Sequence, residues 1–161
     1  MRRLLFTTAA ALLVLSPARA QTPAAPAEVL APSPEALREV LGAEGYRPEV
    51  QPSTDPKETG LKFKVSGDTL YLTFKGCVAG RCEMVSLDNG FERPKTKDAR
   101  AVSALISAWN AKWYTQAYED QEGVLYLSSS YVLTGGYTRA NVLAWLAVYL
   151  EDYDRFGEEL Y

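Results

Sequence analysis

Thr138-Arg139-Ala140-Asn141-Val142-Leu143-Ala144-Trp145-Leu146-Ala147-Val148-Tyr149-Leu150, continued by Glu151-Asp152-Tyr153-Asp154-Arg155-Phe156-Gly157-Glu158-Glu159-Leu160, is the stretch that decides the fold. Val142, Leu146, Tyr149, Tyr153, Phe156 and Leu160 recur at spacings of four and three, which places them on one face of a helix. Leu143, Trp145 and Leu150 widen that stripe to about 160° at roughly 100° per residue. A surface helix needs only a little over 100°. The extra width predicts contact with more than one neighbour: the helix's own sheet, and either a second helix or a partner molecule.

Working back from this helix, Gly135-Gly136 lets the chain turn and Thr138 suits the cap. Val124–Leu133 reads as a strand, with Leu125, Leu127, Tyr131 and Leu133 on one face and Tyr126, Ser128 and Ser130 on the other. Trp113–Tyr118 is its hairpin partner across Asp120-Gln121-Glu122-Gly123. A helix opening at Asp98 precedes it, with Val102, Leu105, Ile106 and Trp109 on one side and Trp113 just beyond. Trp109 and Trp113, with Tyr149, Tyr153 and Phe156, are expected to anchor the core, since buried aromatics are ordinarily packing residues.

Towards the N-terminus, Ser33-Pro34-Glu35 has the cap, first-turn proline and acid of a helix start, and Leu37, Val40 and Leu41 form its apolar face. Gly42 or Gly45 ends it, and a weak strand follows around Tyr46–Val50. Leu61, Phe63 and Val65 alternate with polar residues, as do Leu70, Leu72 and Phe74 after a turn at Ser66-Gly67-Asp68. A third strand, Glu83–Leu87, completes a meander that Asn89-Gly90 and Pro94 end. Strands in runs, without a helix between each pair, mean antiparallel pairing and an α+β class. Such a sheet, flanked by helices, leaves its other face free.

Residues 1–20 read as a signal peptide: Arg2-Arg3, an apolar run from Leu4 to Leu15, and Ala18-Arg19-Ala20 as the cleavage site before Gln21. The run is short for a membrane span, so no stable membrane insertion is expected after cleavage, and the protein is placed in the periplasm or outside the cell. Gln21–Pro32 is Ala/Pro-rich and reads as a flexible tether, which leaves 33–161 as a single domain. Loss of Arg2, Arg3 and Arg19 lowers Lys+Arg from 17 to 14 against 20 Asp+Glu, and the net charge from −3 to −6. An acidic chain without a basic cluster argues against nucleic acid, whose binders must neutralise phosphates.

Cys77 and Cys82 are the two cysteines, and in an exported chain this spacing reads as one disulfide. Zinc would need further donors in a protein with no histidine, and the redox pattern C-x-x-C is absent. Glu119, Asp120 and Glu122 are the candidates for an acid-based or calcium site, but carboxylates beside a turn glycine are ordinary turn chemistry. Ser128-Ser129-Ser130 has no base at motif spacing, and Asp152, Asp154, Glu158 and Glu159 read as a solvated helix face. No catalytic residue, cofactor site or metal site is assigned.

Cys77 and Cys82 after the second strand, Trp109-Asn110 closing the middle helix, the aromatic-rich strand that follows, Gly135-Gly136-Tyr137-Thr138 and the Tyr153…Phe156 close occur in an order that resembles the YbjN family of bacterial proteins. The resemblance runs from about Ser33 to Leu160. It implies a fold like that of type III secretion chaperones, with element order αβββαββα. It also implies a regulatory association, with no defined biochemical activity. The expectation is therefore a non-enzymatic module of the cell envelope that binds a protein or peptide partner. Binding is expected either at a sheet edge or through a surface built on Trp145, Leu143 and Leu150. A homodimer through the same helix is the nearest variant, and an envelope enzyme using carboxylates is the alternative of a different class.

Overall fold

A computed structural model describes residues 27–161. The chain runs α1 (Pro34–Ala43), β1 (Glu49–Gln51), β2 (Thr59–Val65), β3 (Asp68–Lys75), β4 (Met84–Phe91), α2 (Ala99–Asn110), β5 (Gln116–Glu119), β6 (Leu125–Val132) and α3 (Arg139–Leu160). The strands form one antiparallel sheet in the order β1-β2-β3-β4-β6-β5. The α+β class with helices flanking an antiparallel sheet is thus present; β1 falls at the weak strand read around Tyr46–Val50 and is one more than the order implied by the family resemblance.

Local sequence explains the helix starts. The Ser33, Asp98 and Thr138 side chains each accept a hydrogen bond from the backbone N–H three residues on, at Ala36, Ala101 and Asn141. Each cap satisfies one of the first-turn donors that a helix cannot pair internally. Ser66 (φ 51°) and Gly67 (φ 102°) form the two-residue turn between β2 and β3, with left-handed backbone at both positions.

The inner face of the sheet is apolar. Leu61, Phe63, Leu70, Leu72, Phe74, Val85, Leu87, Leu125 and Leu127 are all buried there, against Leu37 and Leu41 of α1, Val102 and Trp109 of α2, and Val142, Leu146, Tyr149, Phe156 and Leu160 of α3. Full burial of one such side chain is worth about 1.5–3 kcal/mol. This one continuous core holds all three helices on the same side of the sheet.

Three sequence expectations need correction. Asn89-Gly90 does not end the third strand: β4 continues through both to Phe91 and pairs with β6 along its whole length. The second hairpin begins at Gln116, not Trp113, because residues 111–115 turn the chain out of α2. Third, the described end of the 21–32 tether is tied to the domain. Leu30 forms an antiparallel bridge with Tyr137, and the Cys82 N–H donates to the Pro32 carbonyl at 2.7 Å. Gly136 (φ 95°) permits this contact, since a Cβ there would fall 2.8 Å from the Leu30 carbonyl oxygen. Residues 1–20, read from sequence as a signal peptide, and the rest of the expected tether to residue 26 lie outside the described residues.

Cys77 and Cys82 form the expected disulfide, in the loop between β3 and β4, with Cα atoms 3.9 Å apart. An isolated bridge between Val78 and Arg81 closes the loop inside it.

Candidate functional site

With the helices on one side, strand alternation sends the remaining side chains to a face that no described helix covers. The register sets these residues in rows. One row runs Gln51, Gly60, Thr73, Ser86, Ser130 across five strands. The next holds Glu49, Lys62 and Tyr71 on one side, and Asp88, Ser128 and Gln116 on the other. A third holds Gly90, Tyr126 and Tyr118. The centre of the face is therefore a field of hydroxyls around one carboxylate, and Ser86 donates to Asp88 at 2.7 Å.

Aromatic rings stand at two places on this face. Tyr118 and Tyr126 stack with centroids 5.2 Å apart and planes 14° from parallel. Tyr126 occupies the space over Gly90, where an added Cβ would already lie 3.4 Å from its ring. Burial, and next the Asp88 carboxylate, push the Tyr118 phenol above its ordinary pKa. Tyr71 is 48% exposed and Tyr118 41%. Beside Tyr71, a depression of about 460 Å³ opens between the α1–β1 loop and strands β2 and β3, and includes Arg47, Lys62 and Lys64.

The sheet edges are guarded. At β5, the Asn110 carboxamide accepts from the Ala117 N–H at 2.7 Å and donates to the Ala117 carbonyl at 3.0 Å. It thus takes up the main-chain groups that an added strand would use. At the other edge, β1 is three residues long and bracketed by Pro48 and Pro52. Beyond Lys62, however, β2 has no strand on its outer side, because β1 pairs only with Gly60–Lys62.

An internal seam also lies in the sheet. β3 pairs with β4 only from Leu72 to Lys75, so Tyr71 donates its N–H to the Asn89 side chain instead, at 3.1 Å. Asn89 in turn donates to the Tyr149 hydroxyl (2.7 Å), which donates to the Leu127 carbonyl (3.1 Å). Asn89 faces the core and acts as a bridge between strands.

The residues singled out from sequence are not gathered at this face. Trp109, Tyr149 and Phe156 are fully buried, while Trp113 and Tyr153 are half-buried at the core margin. Trp113 lies beneath the Arg155 guanidinium, 4.0 Å from its ring centroid. Trp145 donates to the Ser129 hydroxyl at 2.9 Å and packs on Tyr131, whereas Leu143 lies towards α1 and Leu150 towards the β2–β3 turn. All three are half-buried against their own domain, on opposite flanks of the α3 stripe, and do not form one patch.

Asp152 is not part of a solvated helix face: it is 4% exposed and accepts from the Thr115 hydroxyl at 3.0 Å. Thr115 itself accepts from the Trp109 indole, so the three residues tie α3 to the end of α2. Asp154, Glu158 and Glu159 are exposed as expected. Glu119 pairs with Arg93 at 2.8 Å, and Asp120 accepts from the Glu122 and Val124 N–H groups, so both serve the hairpin turn. Among the described residues, no three His, Cys, Asp or Glu side chains lie close enough to hold a metal ion.

The model of the YbjN family, described as "Putative bacterial sensory transduction regulator", matches residues 33–161. The chain belongs to the YbjN family. The YbjN match begins at Ser33, the cap of α1, and covers every named helix and strand. No curated protein and no solved structure matches the chain.

Proposed function

We propose that this YbjN-family chain is an exported regulatory module that works by binding a protein or peptide segment on the helix-free face of its sheet. The family description supports a regulator. The Cys77–Cys82 disulfide suits an oxidising compartment, as does the signal sequence read at residues 1–20. The observation that carries the binding reading is the pair of exposed tyrosines, Tyr71 and Tyr118, on a face that no described helix covers. Tyrosine supplies large contact area at low entropic cost and keeps a polar tip for hydrogen bonding. The alternatives on the fold are weaker. The β5 edge is closed by Asn110, the opposite edge is unpaired only along Phe63–Val65 of β2, beside Tyr71, and the apolar flank of α3 is engaged within the domain.

The test is site-specific photo-crosslinking in the envelope. A photoreactive residue at position 71 or 118 gives a discrete protein adduct, and one at exposed Glu35 or Glu159, on the helical side, does not. Adducts arising only from the helical side, or from neither, overturn the reading.

A further inference from the structure

We infer that the depression beside Tyr71 receives an acidic, extended segment of the partner; this rests on the reading of the helix-free face as the binding surface. Three cations, Arg47, Lys62 and Lys64, meet at this depression with a single carboxylate, Glu49. Glu49 is engaged by Lys62 at 3.2 Å, which leaves Arg47 and Lys64 exposed and outside every ion pair formed among the described residues. The patch is a local reversal in a chain that is acidic as a whole. Charge complementarity of this kind selects the sign of the partner and speeds its encounter.

Two further features give the shape of the occupant. No described strand pairs with Phe63–Val65 of β2 on its outer side, which borders the same depression, and Tyr46–Pro48 lead into β1 on that side. An extended segment of a few residues fits in the opening between them. Tyr46 and Tyr71 supply rings in the wall, and Tyr46 packs edge-on over the buried Phe63 at 5.2 Å. The chemistry therefore fits alternating acidic and aromatic or apolar side chains. The acids would reach Arg47 and Lys64, and the apolar groups would lie on the rings.

The experiment is fluorescence anisotropy on the purified protein, with a labelled, end-capped peptide of alternating Glu and Tyr and its Lys–Tyr counterpart. The Glu–Tyr peptide is expected to bind saturably, and to weaken as salt is raised. Joint reversal, Arg47→Glu with Lys64→Glu, is expected to weaken it by about tenfold or more. Lys95→Glu, an exposed change in the β4–α2 loop, leaves it unaltered. Lys64→Gln, which adds no negative charge, moves affinity in the same direction by a smaller factor and covers the case of a misfolded double variant.

Absence of Glu–Tyr binding, equal or tighter binding of the Lys–Tyr peptide, or equal effects of the Lys64 and Lys95 changes each overturn the inference. In any of those cases the Tyr71 crosslink separates the two failures. A persisting adduct keeps the face and removes only the acidic occupant, and its loss removes both.

Discussion

Tyr137 and Tyr149 are both buried aromatic residues, and their hydroxyls have opposite surroundings. The Tyr149 hydroxyl accepts from Asn89 and donates to the Leu127 carbonyl, whereas no partner for the Tyr137 hydroxyl lies within reach among the described residues. A buried hydrogen bond that loses one partner leaves the other unsatisfied, at about 1–3 kcal/mol. Tyr149→Phe is therefore expected to destabilise by that amount in urea titration, and Tyr137→Phe to be neutral or stabilising. Equal losses would show that the Tyr149 bridge contributes nothing beyond packing. Burial pushes the Tyr137 phenol from its ordinary 10.0 up to about 12, so the folded state keeps a proton that the unfolded state releases. Its contribution is complete below pH 10, and is lost as pH rises from there towards about 12. Tyr137→Phe should flatten the fall of stability over that window. Sequence places Tyr149 in the helical stripe; the role of its hydroxyl depends on Asn89, 60 residues away, which no local pattern connects to it.

At the level of elements, what is local was legible and what is long-range was not. Ser33, Asp98 and Thr138 are caps because each satisfies a donor three residues on, a relation written within one turn. Asn89-Gly90 has the composition of a turn, but Asn89 faces inward as a bridge and Gly90 makes room for Tyr126, so the strand continues. Asp152 belongs by residue type to the acidic surface; the buried Thr115 hydroxyl, set by the turn after α2, draws it inside. Asn110 performs the most specific task of any element end, closing β5 with two hydrogen bonds. Asn110→Ala should leave the core intact while freeing the Ala117 N–H and carbonyl for edge pairing. Concentration-dependent association in light scattering is expected, and a variant that stays monomeric while melting normally would remove the guarding role. The disulfide closes a short loop, for which chain entropy gives roughly 2 kcal/mol. Reduction should lower the melting temperature and leave a folded domain, because the core beneath it is continuous. Unfolding by reductant at room temperature would contradict this.

For the whole molecule, the helix-free face was the least legible feature. Alternation in each strand shows which residues point away from the core, but the rows across the face depend on β4 pairing with β6, an order that the strand sequence does not state. Ser86, Asp88, Tyr118 and Tyr126 were thus separate polar or aromatic residues until the register brought them together. The same architecture bears on oligomeric state. The wide stripe of α3 suggested either a second internal neighbour or a partner molecule, and its flanks Leu143, Trp145 and Leu150 are all packed against the domain. With β5 closed by Asn110, only a short stretch of β2 unpaired at the other edge, and the free face dominated by hydroxyls and charge, the exposed apolar residues left among the described ones, such as Val50, Val132 and Val148, are small side chains on different elements. The purified protein is therefore expected to be a monomer across a concentration series in light scattering. A dimer that dissolves on Tyr71→Ala or Tyr118→Ala would mean that the helix-free face binds a second copy of the chain. A dimer indifferent to both changes but broken by Trp145→Ala would return the interface to α3, and the binding surface would have to be sought there.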